Sequence, residues 1–501
     1  MLPVGFDTRL TRRRFVRVAG AATAALATRG LWSSSAFGAD AAVPARTAYV
    51  SRPDLHPPPV TVAESAPGTE AGYILLAPFN ITGQVTPSQQ FGPLIVDNAG
   101  EPVWFLPRHG KTAIDLQAQT YRKQPVLTWY EGDVLGGYGG TYGIYDSTYH
   151  KIGGVAAGRG EHGDLHEFLI TSRGTALITI YRQVTADLTS IGGSAAGPLV
   201  VGIVQELDIP TNKVLFEWRS TDHVALTETF MPQISPMGNN VDYFHLNAVG
   251  VDTDGHLIIS ARHTSCIYKV DRKTGEIKWR LGGKKSDFTF GPGAAFNFQH
   301  DPRRHKDGTL TLFDNGAALP GGIGGPESHS RPMRLSLDMN AMHASLVAEY
   351  DPTPAKLAWA MGNLQQLPDG NLFVGWGTAG AWTEFTSAGE VLLDASFADG
   401  SVSYRAFRAP WVGRPTGRPA AAVLRGADGT ATVYASWNGA TEVASWLVRG
   451  GPSPSSLKPL QSLPRSGFET AIPVGNAAGY VTATAVDSRG GVLGTSAPVA
   501  L

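Results

Sequence analysis

The chain is predicted to be all-β: a six-bladed β-propeller followed by a small β-sandwich-like extension. Three observations carry this. The 501 residues include 60 Gly and 34 Pro with only 17% charged side chains, so turns punctuate the chain throughout and a large core can be buried. A hairpin, strand then turn then strand ending in an aromatic, recurs six times. A second kind of hairpin, closed at Asp-Gly, falls between copies of the first.

The first hairpin appears as Leu94–Val96 with Asn98-Ala99-Gly100 and Val103-Trp104, and again around Ile144-Tyr145-Asp146. It returns as Glu206-Leu207-Asp208 leading to Phe216-Glu217-Trp218, and most fully as Tyr268-Lys269-Val270-Asp271-Arg272-Lys273-Thr274-Gly275-Glu276-Ile277-Lys278-Trp279. Weaker copies run from Leu335 to Tyr350 and from Phe385 to Leu393. Asn and Gly supply the positive φ of tight hairpins. The Asp-Gly pairs stand at Asp254-Gly255, Asp307-Gly308 and Asp369-Gly370, each between apolar strands. One of each hairpin makes a four-stranded blade, and a repeat of roughly 50–65 residues gives six of them. On this reading the propeller occupies 91–400. A Pro-rich, then strand-like lead-in covers 42–90, and 401–501 is a β-rich extension without the repeat.

Residues 1–41 read as an export signal. Thr11-Arg12-Arg13-Arg14-Phe15-Val16-Arg17 precedes a mild Ala/Gly-rich apolar run, the pattern of a twin-arginine signal, with small residues near Ala36 and Ala39 for cleavage. The run is too short and too weakly apolar to span a bilayer. The expectation is export through the twin-arginine machinery to the periplasm, cell surface or medium, with no integral membrane segment in the mature chain. A single cysteine, Cys266, excludes an intramolecular disulfide and a CxxC zinc site. A formal net charge of −1 argues against nucleic acid as a partner.

Three histidines share one phase of the repeat. His166, His245 and His300 each precede a blade's first turn by about seven to ten residues, at the start of the strand that lines a propeller's central channel. The same phase in the sixth blade holds Met361-Gly362-Asn363. The ends of the following strands face the same mouth and carry Tyr181-Arg182, Arg262-His263, Asp314-Asn315 and Trp376-Gly377. One pocket should therefore gather His166, His245, Asn247, Arg262 and His300. A three-histidine zinc site is the sharpest rival, and the nearby Arg262 cation argues against it. His150, His162, His223, His256, His263, His305 and His343 are left without a role.

Together Asp242-Tyr243-Phe244-His245-Leu246-Asn247, Ser260-Ala261-Arg262-His263-Thr264-Ser265, Asp271 to Ile277, Trp279-Arg280-Leu281-Gly282-Gly283 and Gln299-His300-Asp301 resemble the bacterial arylsulfate sulfotransferases. The resemblance is strongest over about 160–320. It implies a six-bladed propeller that moves a sulfuryl group from an aryl sulfate to a phenol, without a nucleotide sulfate donor or other cofactor. It also implies His300 as the nucleophile, forming a sulfohistidine in a ping-pong cycle. Arg262 and Asn247, with His245 if protonated, would then hold the sulfuryl oxygens, and His166 would pass the phenolic proton. Tyr243, Phe298, Trp359 and Trp376 are candidates to stack on the aromatic ring. Two other readings stay open. One is an exported propeller that binds glycans or proteins without catalysis. The other is a quinoprotein-like enzyme, suggested by the Asp271-to-Trp279 turn.

Overall fold

The computed structural model describes residues 48–82, 89–132, 139–231, 240–318, 325, 327–477 and 479–501. The twin-arginine stretch and most of the Gly316–Gly325 run lie outside the described residues.

Each repeat folds as its turn chemistry dictates. In the fullest hairpin, Cys266–Val270 pairs with Ile277–Gly282. The Asp271 carboxylate caps the turn by accepting from the backbone N–H of Lys273 (2.8 Å) and Thr274 (3.1 Å), and Gly275 supplies φ +80°. The Asp-Gly turns likewise place Gly255, Gly308 and Gly370 at φ +84° to +96°.

Between residues 60 and 409 these hairpins build six sheets, antiparallel except where the short strands Val241–Asp242 and Thr289–Phe290 pair in parallel at the margins of two of them. In chain order, five are Thr112–Tyr121 with Gln124–Gly132, Thr141–Tyr145 and Lys151–Val155; Gly163–Ile170 with Thr175–Ala186, Gly197–Asp208 and Lys213–Arg219; Leu246–Val251 with Leu257–Ala261, Cys266–Val270 and Ile277–Gly282; His300–Arg304 with Thr309–Asp314, Arg331–Asp338 and His343–Glu349; and Asn363–Gln366 with Leu372–Gly375, Ala381–Phe385 and Val391–Phe397. The remaining sheet joins the two ends of the chain. Val402–Ala409 forms its innermost strand, against Tyr73–Phe79, Leu94–Val96 and Pro102–Phe105. Val60–Ser65 in turn extends the Asn363–Phe397 sheet at its outer edge.

The sheets are held by the apolar faces that strand alternation presents. Ile258, Ile267 and Trp279 of one sheet pack on Leu310, Leu312 and Met333 of the next. Burying each such aliphatic side chain contributes about 1.5–3 kcal/mol. Successive innermost strands pack on one another, from Thr112–Tyr121 round to Asn363–Gln366, which meets Val402–Ala409, which meets Thr112–Tyr121 again. Residues 420–500 add two more sheets that share a core of Val433, Ile472, Trp446, Val448 and Val481. Asn438 ties them to the sheet of Tyr73–Phe79 and Pro102–Phe105 by exchanging hydrogen bonds with the Phe105 backbone (2.9 and 2.8 Å). No helix among the described residues is long and apolar enough to cross a membrane.

The innermost strands are irregular, and this irregularity makes the site. Bulges interrupt pairing near Asp115, within Gly163–Ile170, at Leu246, after His300 and between Ser403 and Ala406. Asp115, His245 and Asp301 also adopt positive φ (60°, 54° and 50°). A bulge re-aims a side chain that strict alternation would send to the opposite face.

Candidate active site

Where the innermost strands begin, their side chains converge. The His166 ring lies 5.1 Å from that of His245 and 5.5 Å from that of Tyr404, centroid to centroid. Tyr404 is in turn 6.2 Å from His300. Tyr404, from the strand Val402–Ala409, thus stands between His166 and His300, and His245 joins the group through His166. The Tyr404 hydroxyl donates to Asn247 O (3.0 Å) and stays neutral, because burial drives its pKa well above the usual value.

His300 is 1% exposed and its tautomer is set by its neighbours. The Asn315 amide nitrogen donates to Ala358 O (2.6 Å) and Met361 O (2.9 Å), which leaves its Oδ1 to accept from His300 Nδ1–H at 2.6 Å. The lone pair therefore sits on Nε2, where it accepts the Met361 backbone N–H at 3.2 Å. Burial, then the Arg262 charge, holds the His300 pKa well below 6.5.

Arg262 is equally buried. Its Nη2 donates to Ala318 O (2.6 Å) and Trp359 O (2.8 Å), and its Nη1 donates to His263 Nε2 (2.9 Å). The guanidinium lies over the Phe298 ring at 5.6 Å, and its buried Nε–H has no partner among the described residues. Burial lowers its pKa to about 10, so it keeps its charge at neutral pH.

His245 Nδ1 contacts Asp242 Oδ2 at 2.5 Å, and His263 Nδ1 donates to Asp242 O at 2.6 Å. Burial, with the neighbouring His166 and Arg262, holds His245 well below the ordinary imidazole range, so it is neutral. Burial, then His245, puts His263 at about 3. Asp242, His245 and His263 bring potential ligand atoms within 4.8 Å of one another. Both Nδ1 atoms are already spent on Asp242, however, and His263 Nε2 faces the Arg262 cation. A divalent ion would have to displace these bonds and sit against a fixed positive charge.

His166 Nδ1 is anchored to the buried Asp164 carboxylate at 2.5 Å, leaving Nε2 available. Asn247 is fully buried and its amide donates to Gln299 O (2.7 Å), the carbonyl just before His300. Of the four stacking candidates, Tyr243, Phe298 and Trp376 are buried, whereas Trp359 is only half-buried.

A second tier lies beside the first: Glu167, Asp301 and Arg405 directly follow His166, His300 and Tyr404, and Asp115 and Arg303 join them. Arg405 is fully buried and reaches Asp115 (3.0 Å), Glu167 (3.1 Å) and Asp301 (3.3 Å). Arg303 also bridges Glu167 (2.7 Å) and Asp301 (2.5 Å). Burial pushes Asp115 up to about 7 against the pull of Arg405. Burial acts the same way on Glu167, but Arg303 and Arg405 outweigh it and hold that carboxylate below its ordinary range.

The structure brings together His166, His245, Arg262 and His300, with Asn247 beneath them. Sequence reading places His263 and Asn315 at the mouth by the strand-end phase they share with Arg262 but gives neither a role, and it leaves out Tyr404 and the second tier. Tyr404 has no such signal, because its strand lies outside the repeat.

No curated protein matches the chain. Among solved structures, a protein of unknown function from Bacteroides caccae aligns at 12% identity and TM-score 0.41, covering 68% of this chain and all of that one. A catalytically inactive virginiamycin B lyase from Staphylococcus aureus with quinupristin aligns at 11% identity and TM-score 0.31, covering 84% of this chain and 98% of that one. Residues 117–398 match the arylsulfotransferase (ASST) family. That stretch spans more than half of the 501 residues and contains His166, His245, Asn247, Arg262 and His300, so the chain belongs to the arylsulfotransferase family.

Proposed function

We propose that this protein transfers a sulfuryl group from an aryl sulfate to a phenol by way of His300. The observation that carries the reading is a buried imidazole whose Nδ1 proton is fixed by Asn315, which leaves the Nε2 lone pair as its one nucleophilic atom. In the first half-reaction Nε2 bonds to sulfur and the sulfur–oxygen bond to the aryl group breaks. The phenolate departs with the electron pair and takes the Nε2 proton of His166, which enters the cycle as the imidazolium with its Nδ1–H held by Asp164. In the second half the acceptor phenol returns that proton to His166, its oxygen bonds to sulfur, and the N–S pair goes back to His300. Charge spreads over the sulfuryl oxygens in both steps, so fixed positive charge at Arg262 does much of the catalysis. Asn247 positions His300 through Gln299 O, and half-buried Trp359 is the ring best placed to stack on the substrate.

The six sheets are read as blades of one propeller. That unit would run from Val60 to Ala409, wider than 91–400, because the two ends of the chain complete the first and last blades. The sheets of residues 420–500 would form the sandwich-like extension, and residues 1–41 would direct twin-arginine export.

Two measurements test the chemistry. With p-nitrophenyl sulfate and no acceptor, the mature protein should release a burst of one nitrophenol per site and gain one SO3 by mass, located at His300. Slow release without a burst or adduct would sink the covalent route. The pH profile is the second. Protonation of His300 is disfavoured by burial and by Arg262, so the nucleophile persists below pH 6.5. At pH 5.5, where an ordinary imidazole is about nine-tenths protonated, the burst rate should remain near its neutral value. A rate that follows an ordinary imidazole titration would contradict this.

A further inference from the structure

His300 Nε2 is the atom that must bond to sulfur, yet its lone pair is occupied by the Met361 N–H at 3.2 Å. That amide is firmly placed. Met361 has φ +67°, a left-handed conformation that a side chain rarely adopts, next to Gly362 at +101°. Around it, Met361 O accepts from Asn315 (2.9 Å), Gly362 N–H donates to Tyr404 O (2.9 Å), and Trp359 O accepts from Arg262 (2.8 Å). One short segment, 358–362, therefore touches His300, Asn315, Tyr404 and Arg262 through its backbone.

We infer that the Met361 backbone N–H is a catalytic donor: it rests on the His300 lone pair in the free enzyme and passes to a sulfuryl oxygen when Nε2 bonds to sulfur. This rests on the sulfuryl-transfer reading above. Forming the N–S bond consumes the lone pair and deprives the amide of its acceptor. A buried N–H left unpaired costs about 1–3 kcal/mol, and the sulfuryl oxygens are the acceptors that arrive at that spot. The partnerless Arg262 Nε–H is a second donor of the same kind, so two fixed N–H groups would share the oxygens. When the acceptor phenol takes the sulfuryl group, the lone pair returns to Nε2 and the amide returns to it. The resting hydrogen bond thus keeps the donor in place between turnovers without a competing water.

The test replaces the amide by an ester in the full chain, through the α-hydroxy analogue of methionine at position 361. This removes the N–H and keeps the side chain. The expected result is a burst rate and turnover lower by about 10²-fold, with KM for p-nitrophenyl sulfate little changed. The acid limb of kcat/KM should also move to higher pH, because Nε2 loses a donor that opposes its protonation. Met361→Gly keeps the N–H, suits the positive φ and removes only the side chain, so its loss of rate should be at least tenfold smaller than that of the ester protein. Full activity in the ester protein would overturn the inference, as would an equal loss in Met361→Gly. A second readout needs no variant. The chain has 7 methionines, so methionine-selective isotopic labelling gives a sparse amide spectrum. The Met361 resonance should shift on loading with p-nitrophenyl sulfate alone, and an unmoved resonance in a loaded protein would count against the donor role. A wild-type protein that shows no burst would instead overturn the parent reading.

Discussion

His300→Ala is expected to lower acceptor-dependent nitrophenol release by about 10⁴-fold or more, the scale on which removing a covalent nucleophile acts. The loss should fall on turnover and on the burst together, because both pass through the N–S bond at His300. His263 has both ring nitrogens engaged, by Asp242 and Arg262. His245 is tied at Nδ1 to Asp242. The variant should still fold. It deletes two hydrogen bonds, leaving the buried Asn315 Oδ1 without its donor and the Met361 N–H without its acceptor, at a cost of about 1–3 kcal/mol each. Urea denaturation beside the kinetic assay separates the two effects. A folded His300→Ala protein with wild-type release would move the nucleophile elsewhere in the cluster.

Arg405→Met should lower unfolding stability by about 3–5 kcal/mol, the cost of breaking a buried ion pair by removing one partner. Three carboxylates, Asp115, Glu167 and Asp301, meet this one guanidinium, all of them buried. Without it, Arg303 alone faces them, and it reaches only Glu167 and Asp301. Asp115 would then be left uncompensated. Adding Asp115→Asn to Arg405→Met should therefore recover part of the loss, a coupling that a double-mutant cycle in urea measures. A loss below about 1 kcal/mol, or strict additivity of the two changes, would show that the tier is loosely packed or wet.

The hairpins were legible because each turn is specified by its own residues. Asp271 caps its turn with its own carboxylate, and the Asp-Gly turns need only their glycines, so spacing along the chain suffices to find them. The histidine phase was legible for a related reason: residues at the same point of successive hairpins stand at the same end of successive sheets. By that rule Asn315 and His263, at the ends of second strands, were placed at the mouth as well, though without a role. A donor role for Asn247 toward substrate was not a matter of phase; one of its two amide N–H groups donates to Gln299 O.

Other parts of the site had no local signal. Tyr404 and Arg405 belong to a strand that pairs with Tyr73–Phe79, more than 320 residues earlier, so nothing near them in sequence says that they stand at the centre. Glu167 and Asp301 follow His166 and His300 directly, and alternation alone would put each pair on opposite faces. Bulges and positive φ in the innermost strands bring both members to the axis. Sequence alone determined the all-β class, the positions of the turns and which histidines share a phase, since these depend on contacts within about a dozen residues. Only the tertiary structure decided which tautomer His300 adopts, what holds Arg262, and that a buried charge network lies beside the cluster. Those features depend on where bulged strands and the two chain ends meet, and no local stretch of sequence encodes that meeting.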